Sequence, residues 1–172
     1  MPVTPETIAF RPLAEADFPL LHRWLAEPHV RAFYQKTAVT LAEVADEYGP
    51  AVRGEEPTYC HLALDRDTPF GYLQCYRNVS YAPWAQLIGT TAGISVDLYL
   101  GEPGYLRRGY GRAMLDGYLK RVALPLFPGE TEAYIAHAMT NTAALRCSQA
   151  IGFRPLRQFV EDGKEMRLLV RP

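Results

Sequence analysis

Three arginines and two glycines crowd the stretch YLRRGYGRAML, residues 105–115 of a 172-residue chain whose formal net charge is −1. The chemistry on offer is anion binding. Gly109 and Gly111 let backbone N–H groups approach a ligand with no Cβ in the way. A helix that begins here leaves its first N–H groups unpaired and presents the positive end of its dipole. Arg107, Arg108 and Arg112 bring charge-assisted donors to the same place, with Tyr110 and Ala113 completing the turn. A helix start otherwise favours Asp or Glu, so the composition suits a negative guest. Two linked phosphates are a natural occupant; the alternative is a surface turn with solvated arginines. No GK[ST] follows, so this is no Walker loop. The third glycine and the early position of a dinucleotide fingerprint are also missing.

A second chemical stretch lies downstream. In NTAALRCSQAIGF, Asn141 and Ala144 stand ahead of Gly152 and Phe153. By itself this reads as an amphipathic helix capped by Asn141 and closed at Gly152 in a left-handed C-cap. Cys60, Cys75 and Cys147 have no CxxC spacing, and His22, His29 and His61 no ligand spacing, so neither a disulfide framework nor a metal site is expected. Cys147 reads as packing rather than reacting. A reduced, cytoplasmic setting follows from this cysteine usage.

These residues need elements to hold them. TIAFRPL (7–13) alternates and predicts a strand. In ADFPLLHRWLAEPHVRAFY, Leu20, Leu21, Trp24 and Leu25 take helical spacing, with Asp17 as N-cap and Pro28 ending the helix or starting a short second one. TLAEVADEYGPAV predicts a helix opened by a Thr40–Glu43 capping box and interrupted at Gly49–Pro50. TYCHLALD and FGYLQCYRNV form a hairpin around RDTP, SYAPWAQLIGTT is a looser stretch, and AGISVDLYL (92–100) is a strand. GRAMLDGYLKRVAL is a helix burying Met114, Leu115, Tyr118, Leu119 and Val122. TEAYIAHA is a strand, NTAALRCSQAIGF a helix, and FRPLRQFV and KEMRLLV a hairpin around EDGK. The order is strand, two helices, three strands, helix, strand, helix, two strands, a mixed α/β arrangement in one domain over residues 1–172. The near-neutral charge gives no sign of nucleic-acid or membrane binding, and no apolar run is long enough to span a bilayer.

Arg108, Gly111 and Ala113 after a strand, followed some thirty residues later by Asn141 and Ala144 and then Gly152–Phe153, resemble the GNAT acetyltransferase superfamily. The segments LLHRWLAEPHVRAFY, TLAEVADEYGPAV, GYLQCY, VDLYLGEPGYLRRGYG and NTAALRCSQAIGF extend the resemblance, in order, to the aminoglycoside 6'-N-acetyltransferases. The resemblance implies a mixed central sheet of about six to seven strands flanked by about four helices, with a splayed pair of strands holding acetyl-CoA. It implies acetyl transfer to the primary amine of a small cationic acceptor by direct attack, in a monomer or homodimer. An N-acyltransferase of siderophore assembly and a non-catalytic acyl-CoA-binding module remain alternatives.

Asp97 matches an aspartate that this group carries on the strand before the phosphate loop. An amine is protonated near neutral pH, and a carboxylate beside the acyl group can take its proton or bind it as ammonium. His137 is the next candidate base. The cofactor set implied is Leu98, Tyr99 and Leu100 on the strand, residues 107–113 on the turn, and Asn141 and Ala144 on the last helix. A backbone N–H near Leu98 or Tyr99 is the expected donor to the thioester carbonyl, with Gly101 letting the strand diverge. Where many relatives carry a tyrosine to protonate the departing thiolate, this chain has Ser148, with solvent or Tyr118 as a substitute. Phe33, Tyr34, Tyr48, Gln74, Trp84 and Asp97 form the acceptor set, and Asp46, Glu47, Glu55 and Glu56 are carboxylates that could face a polycation. The segments SYAPWAQL and IAHAMTN, where relatives place further aspartates, hold no carboxylate.

Overall fold

The computed structural model describes residues 2–34 and 37–172. Its elements are β1 (Ile8–Pro12), α1 (Phe18–Leu25), α2 (Pro28–Arg31), α3 (Leu41–Val52), β2 (Tyr59–Asp65), β3 (Thr68–Arg77), α4 (Ala82–Ile88), β4 (Ile94–Leu100), α5 (Tyr110–Tyr118), α6 (Leu124–Leu126), β5 (Ala133–Ala138), α7 (Thr142–Ala150), β6 (Arg154–Glu161) and β7 (Lys164–Arg171). One seven-stranded mixed sheet runs β1-β2-β3-β4-β5-β7-β6. Only β4 and β5 are parallel neighbours, and they pair at just two positions, Ile94–Ala133 and Ser95–Tyr134. Beyond these β4 stays with β3 out to Leu100–Gly71, while β5 stays with β7 out to Ala138–Met166. The expected splay is therefore present between residues 96–100 and 136–138.

Alternation along the strands divides the core. On one face Leu62, Tyr72 and Tyr99 pack with Leu21, Trp24, Leu25, Val44 and Tyr48 of α1 and α3. On the other, Leu73, Cys75, Ile94, Val96 and Ile135 pack with Met114, Leu115 and Tyr118 of α5 and with Leu119 just after it. The four longer helices match the expectation, and α2, α4 and α6 are short additions.

Several local expectations are corrected. The looser stretch at 80–91 contains α4, which carries Pro83 in its first turn and ends at Gly89 in the left-handed region, φ 79°. Asp17 holds the N-cap position of α1, but its side chain does not cap the helix; the carboxylate takes Arg11 in two hydrogen bonds of 2.7 and 2.8 Å and the Ala14 amide at 2.9 Å. The capping box of α3 stands, Glu43 N–H donating to Thr40 Oγ1 at 3.1 Å and Thr40 N–H to Glu43 Oε2 at 2.7 Å. Gly49–Pro50 does not interrupt α3. A residue before proline resists helical geometry through its Cβ, which Gly49 lacks, and the Arg53 amide reaches Gly49 O at 2.9 Å to continue the turn. A π-helical turn, Leu119–Ala123, joins α5 to α6.

Candidate active site

The site is organised by the parity of β4. Ile94 N–H donates to Glu132 O on the β5 side at 3.0 Å, and Gly101 N–H to Phe70 O on the β3 side at 2.8 Å. Backbone polar groups alternate sides along a strand. Val96 and Leu98 therefore aim their N–H groups into the splay, whereas the Tyr99 N–H points to β3. Of the two amides proposed from sequence, Leu98 faces the opening. The Leu100 carbonyl at its far end accepts from His29 Nε2 of α2, 2.7 Å away, a contact that sequence spacing gave no sign of. Gly101 is required for a different reason than strand divergence: the Trp24 ring lies so close that an added Cβ would sit 2.1 Å from Cδ2.

Side chains alternate likewise. Asp97 projects to the α1–α3 face, opposite Gln74 in register. It is half-buried, and Gln74 Nε2 donates to Oδ2 at 2.9 Å. Burial pushes its carboxyl above the usual carboxylate range, and hydrogen bonds from Gln74 and Tyr76 pull it back. Beside it opens a cleft of about 640 Å³ whose walls include Tyr34, Tyr48, Gln74 and Trp84 of the expected acceptor set. Trp84 is anchored by its indole N–H on Ser95 Oγ at 2.9 Å, and Tyr34 meets Tyr99 edge-on at 4.6 Å. Phe33 is not part of this wall; its ring is 41% exposed on the surface. The carboxylates of the cleft are Glu43, Glu47 and Glu56. Glu47 and Glu56 match the sequence reading, Glu43 adds to it, Asp46 does not line the cleft, and Glu55 is paired to Arg53 at 2.8 Å.

The opposite face carries the anion cradle. Gly109 is the N-cap of α5 with φ 83°, and Arg107 is also left-handed at 58°. The amides of Tyr110, Gly111 and Arg112 precede the first helical bond, Ala113 N–H to Gly109 O at 3.1 Å, and stand free of intrahelical partners. Arg107, Arg108 and Arg112 are exposed around them. Arg108 Nη1 donates to Gly104 O at 2.9 Å and its guanidinium lies 5.6 Å from the Tyr110 ring centroid. Tyr110 in turn donates to Asp65 Oδ2 at 3.1 Å, tying the cradle to the β2–β3 turn. Gly111 faces α7, an added Cβ falling 3.6 Å from Cys147 Sγ. Asn141 caps α7 through the Ala144 amide at 3.3 Å, the structural role that its position suggested, and both residues are partly open.

Three candidate residues are placed away from the reacting end. His137 lies on the α5–α7 face of β5 and bonds Ser148 Oγ through Nε2 at 2.8 Å. Burial lowers its imidazole to about 4. Parity puts it across the sheet from Asp97, so it does not serve the acceptor cleft. Ser148 is 0% exposed and its hydroxyl is taken by His137, leaving no surface to a departing thiolate. Tyr118 is also enclosed, its hydroxyl held between His61 Nδ1 at 3.0 Å and Cys75 Sγ at 3.3 Å.

A sheet splayed between two parallel strands, with an arginine-rich helix start at the opening and a carboxylate on the other face, defines an acyl-carrier-dependent transferase architecture. The family model described as acetyltransferase (GNAT) domain matches residues 14–160, and the chain belongs to that family. It is similar to the aminoglycoside N(6')-acetyltransferase type 1 of Klebsiella pneumoniae and of Serratia marcescens, each 24% identical over 151 residues, 86% of this chain and 74% of the relative. Its fold is that of AAC(6')-Ib in complex with paromomycin and acetyl-CoA: TM-score 0.85, 22% identity, covering 96% of this chain and 93% of that one. AAC(6')-Ib with coenzyme A and kanamycin gives a TM-score of 0.84 at 22% identity, covering 95% and 94%. Among the described residues no helix is long and apolar enough to cross a membrane, and no group of three or more His, Cys, Asp or Glu is arranged to hold a metal.

Proposed function

We propose that this acetyltransferase transfers the acetyl group of acetyl-CoA to the 6'-amine of an aminoglycoside, by direct attack within a ternary complex. The observation that carries the reading is Asp97, a hydrogen-bonded carboxylate beside the splay and on the same face as a cleft walled by tyrosines, Trp84 and three glutamates. A polycationic sugar suits such walls: carboxylates draw its ammonium groups, and aromatic faces cover its rings.

The donor set of the cradle fits a pyrophosphate: free helix-start amides, Gly109 in a conformation that favours glycine, and the guanidinium groups of Arg107, Arg108 and Arg112. Acetyl-CoA supplies an activated thioester when bound. Leu98 N–H, aimed into the splay, polarises the acyl oxygen as charge develops on it. Leu100 and Tyr99 shape the strand edge, with Asn141 and Ala144 across the opening. Asp97 binds the ammonium and takes its proton. The departing thiolate receives its proton from solvent, since Ser148 and Tyr118 are enclosed.

Release of CoA thiol from acetyl-CoA in the presence of kanamycin tests the reading. Thiol must appear with kanamycin and not without it. Asp97→Asn is expected to lower kcat by about a hundredfold or more, the range of general acid–base catalysis, with acetyl-CoA affinity retained. Soluble protein that binds acetyl-CoA but releases no thiol with any aminoglycoside would end the drug assignment.

A further inference from the structure

Behind Asp97 runs a chain of hydrogen bonds that the proposed transfer does not by itself require. The Tyr72 hydroxyl lies 2.7 Å from Gln74 Oε1 and 3.1 Å from Cys60 Sγ, and Gln74 Nε2 lies 2.9 Å from Asp97 Oδ2. Tyr72 has one proton to give. The amide oxygen is nearer and is the stronger acceptor, sulfur being a weak one. With the phenol donating to Oε1, the amide must turn its N–H to Asp97, and Oδ2 must be an unprotonated acceptor. The reverse chain would have protonated Asp97 donating to Oε1 and the amide N–H donating to the phenol. That arrangement strands the phenol proton on a thiol sulfur.

We propose that Tyr72 and Gln74 are positioning residues that set the sense of the Gln74 amide and so hold Asp97 ionised, with the amide N–H engaging Oδ2. The inference rests on the reading of Asp97 as the proton acceptor. Burial alone would favour a neutral Asp97, so a donor fixed behind it has work to do. The other groups that bear on Asp97 are Tyr76 of β3, Tyr34 after α2, Cys60 of β2, Tyr118 of α5 and Glu161 of β6. Of these only Tyr76 hydrogen-bonds it, and the Asp97 charge in turn raises Glu161. Tyr72 is 0% exposed and its ring stacks on Tyr99 at 5.1 Å, so loss of the hydroxyl leaves the packing in place.

The test is the titration of the Asp97 carboxyl by carbon-13 NMR, assigned through its loss in Asp97→Asn, in wild type, Gln74→Met and Tyr72→Phe. Gln74→Met keeps the length and removes the donor. Its Asp97 midpoint should rise by about one pH unit, a tenfold change in the ionised fraction on the acid side. Tyr72→Phe frees the amide to turn and should raise the midpoint by less, in the same direction. The acid limb of kcat/KM for kanamycin should move with each midpoint, whatever the height of the plateau at high pH. A purely structural role would lower kcat/KM equally at every pH and leave the carboxyl unmoved; either result overturns the proposal. Loss of kanamycin acetylation in wild type would sink the drug reading alone, because the NMR midpoints are read without turnover. An Asp97→Asn enzyme of full activity would remove the base that the proposal serves.

Discussion

Replacement of Gly101 by alanine puts one methyl group into the tightest contact around the site. The new Cβ would lie 2.1 Å from Trp24 Cδ2, 2.3 Å from Cγ and 2.6 Å from Cε2. Carbon atoms rest about 3.5–4.0 Å apart, so the ring must retreat by roughly 1.5 Å. It has nowhere to go: Trp24 is 0% exposed, meets Tyr99 edge-on at 6.4 Å, and donates its indole N–H to Glu102 at 2.8 Å. Overpacking of this kind costs about 1–3 kcal/mol, and breaking a hydrogen bond to a carboxylate about 1.5–3 kcal/mol more. A total near 3 kcal/mol lowers Tm by about 6–12 °C for a chain of this length. Thermal unfolding followed by circular dichroism, paired with urea titration, reads this directly. Trp24→Leu in the same chain removes the obstructing ring, so the double variant should lose less than the two single losses added. A Gly101→Ala protein melting within about 2 °C of wild type, or strict additivity with Trp24→Leu, would refute the account of Gly101.

Arg108→Ala should weaken coenzyme A binding by about tenfold, the lower end expected for a charged hydrogen bond on an exposed residue, and should reduce the salt dependence of affinity; calorimetry at low and high salt checks both. His137 makes stability depend on pH. Burial holds it at about 4 in the fold, against 6.5 ordinarily. Between those values the unfolded chain binds a proton that the folded one refuses, so stability falls as pH drops from 6.5 toward 4, by up to about 3 kcal/mol. His137→Gln, which keeps a partner for Ser148, should flatten this acid-side decline in urea midpoints; an unchanged slope would contradict it.

Much of the scaffold was legible because periodicity and punctuation agreed. The capping box of α3, the glycine turn before α5 and the alternation of β4 each fix an element through contacts within a few residues. What escaped depended on distant partners. Helix α4 was hidden because APWAQLI is short and its neighbours Thr90 and Thr91 read as loop, whereas its register comes from Trp84 on Ser95 and Phe159. Proline inside α3 was misleading until Gly49 before it is considered. His137 and Ser148 looked accessible in sequence because each lies near a catalytic segment; only the parity of β5 shows that they face each other across the sheet from Asp97. The Tyr72–Gln74–Tyr76 row carried a signal that spacing alone could have found. Three polar-tipped residues at period two alternate with Leu73 and Cys75, and so must share the face of Asp97.

That dependence on parity makes the register of β4 the central physical requirement of the site. A slip of one residue would turn Asp97 toward α5 and Leu98 toward the acceptor, and would point the Leu98 amide at β3 rather than into the splay. Both ends of the strand are clamped against it. At the start, the Asn78 amide donates to Gly93 O at 3.0 Å, and Asn78 Nδ2 donates to Ala92 O at 2.8 Å from a fully buried position. Gly93, at φ 80°, admits no Cβ, because one would fall 2.7 Å from Glu132 O. At the finish, Phe70 O accepts from both Gly101 and Glu102, at 2.8 and 3.1 Å, with Trp24 pressed on Gly101. Pairing with β5 contributes little because it ends at Ser95. The two clamps therefore do what the missing ladder cannot, and they let the strand edge stay open to a ligand while its side chains stay in register.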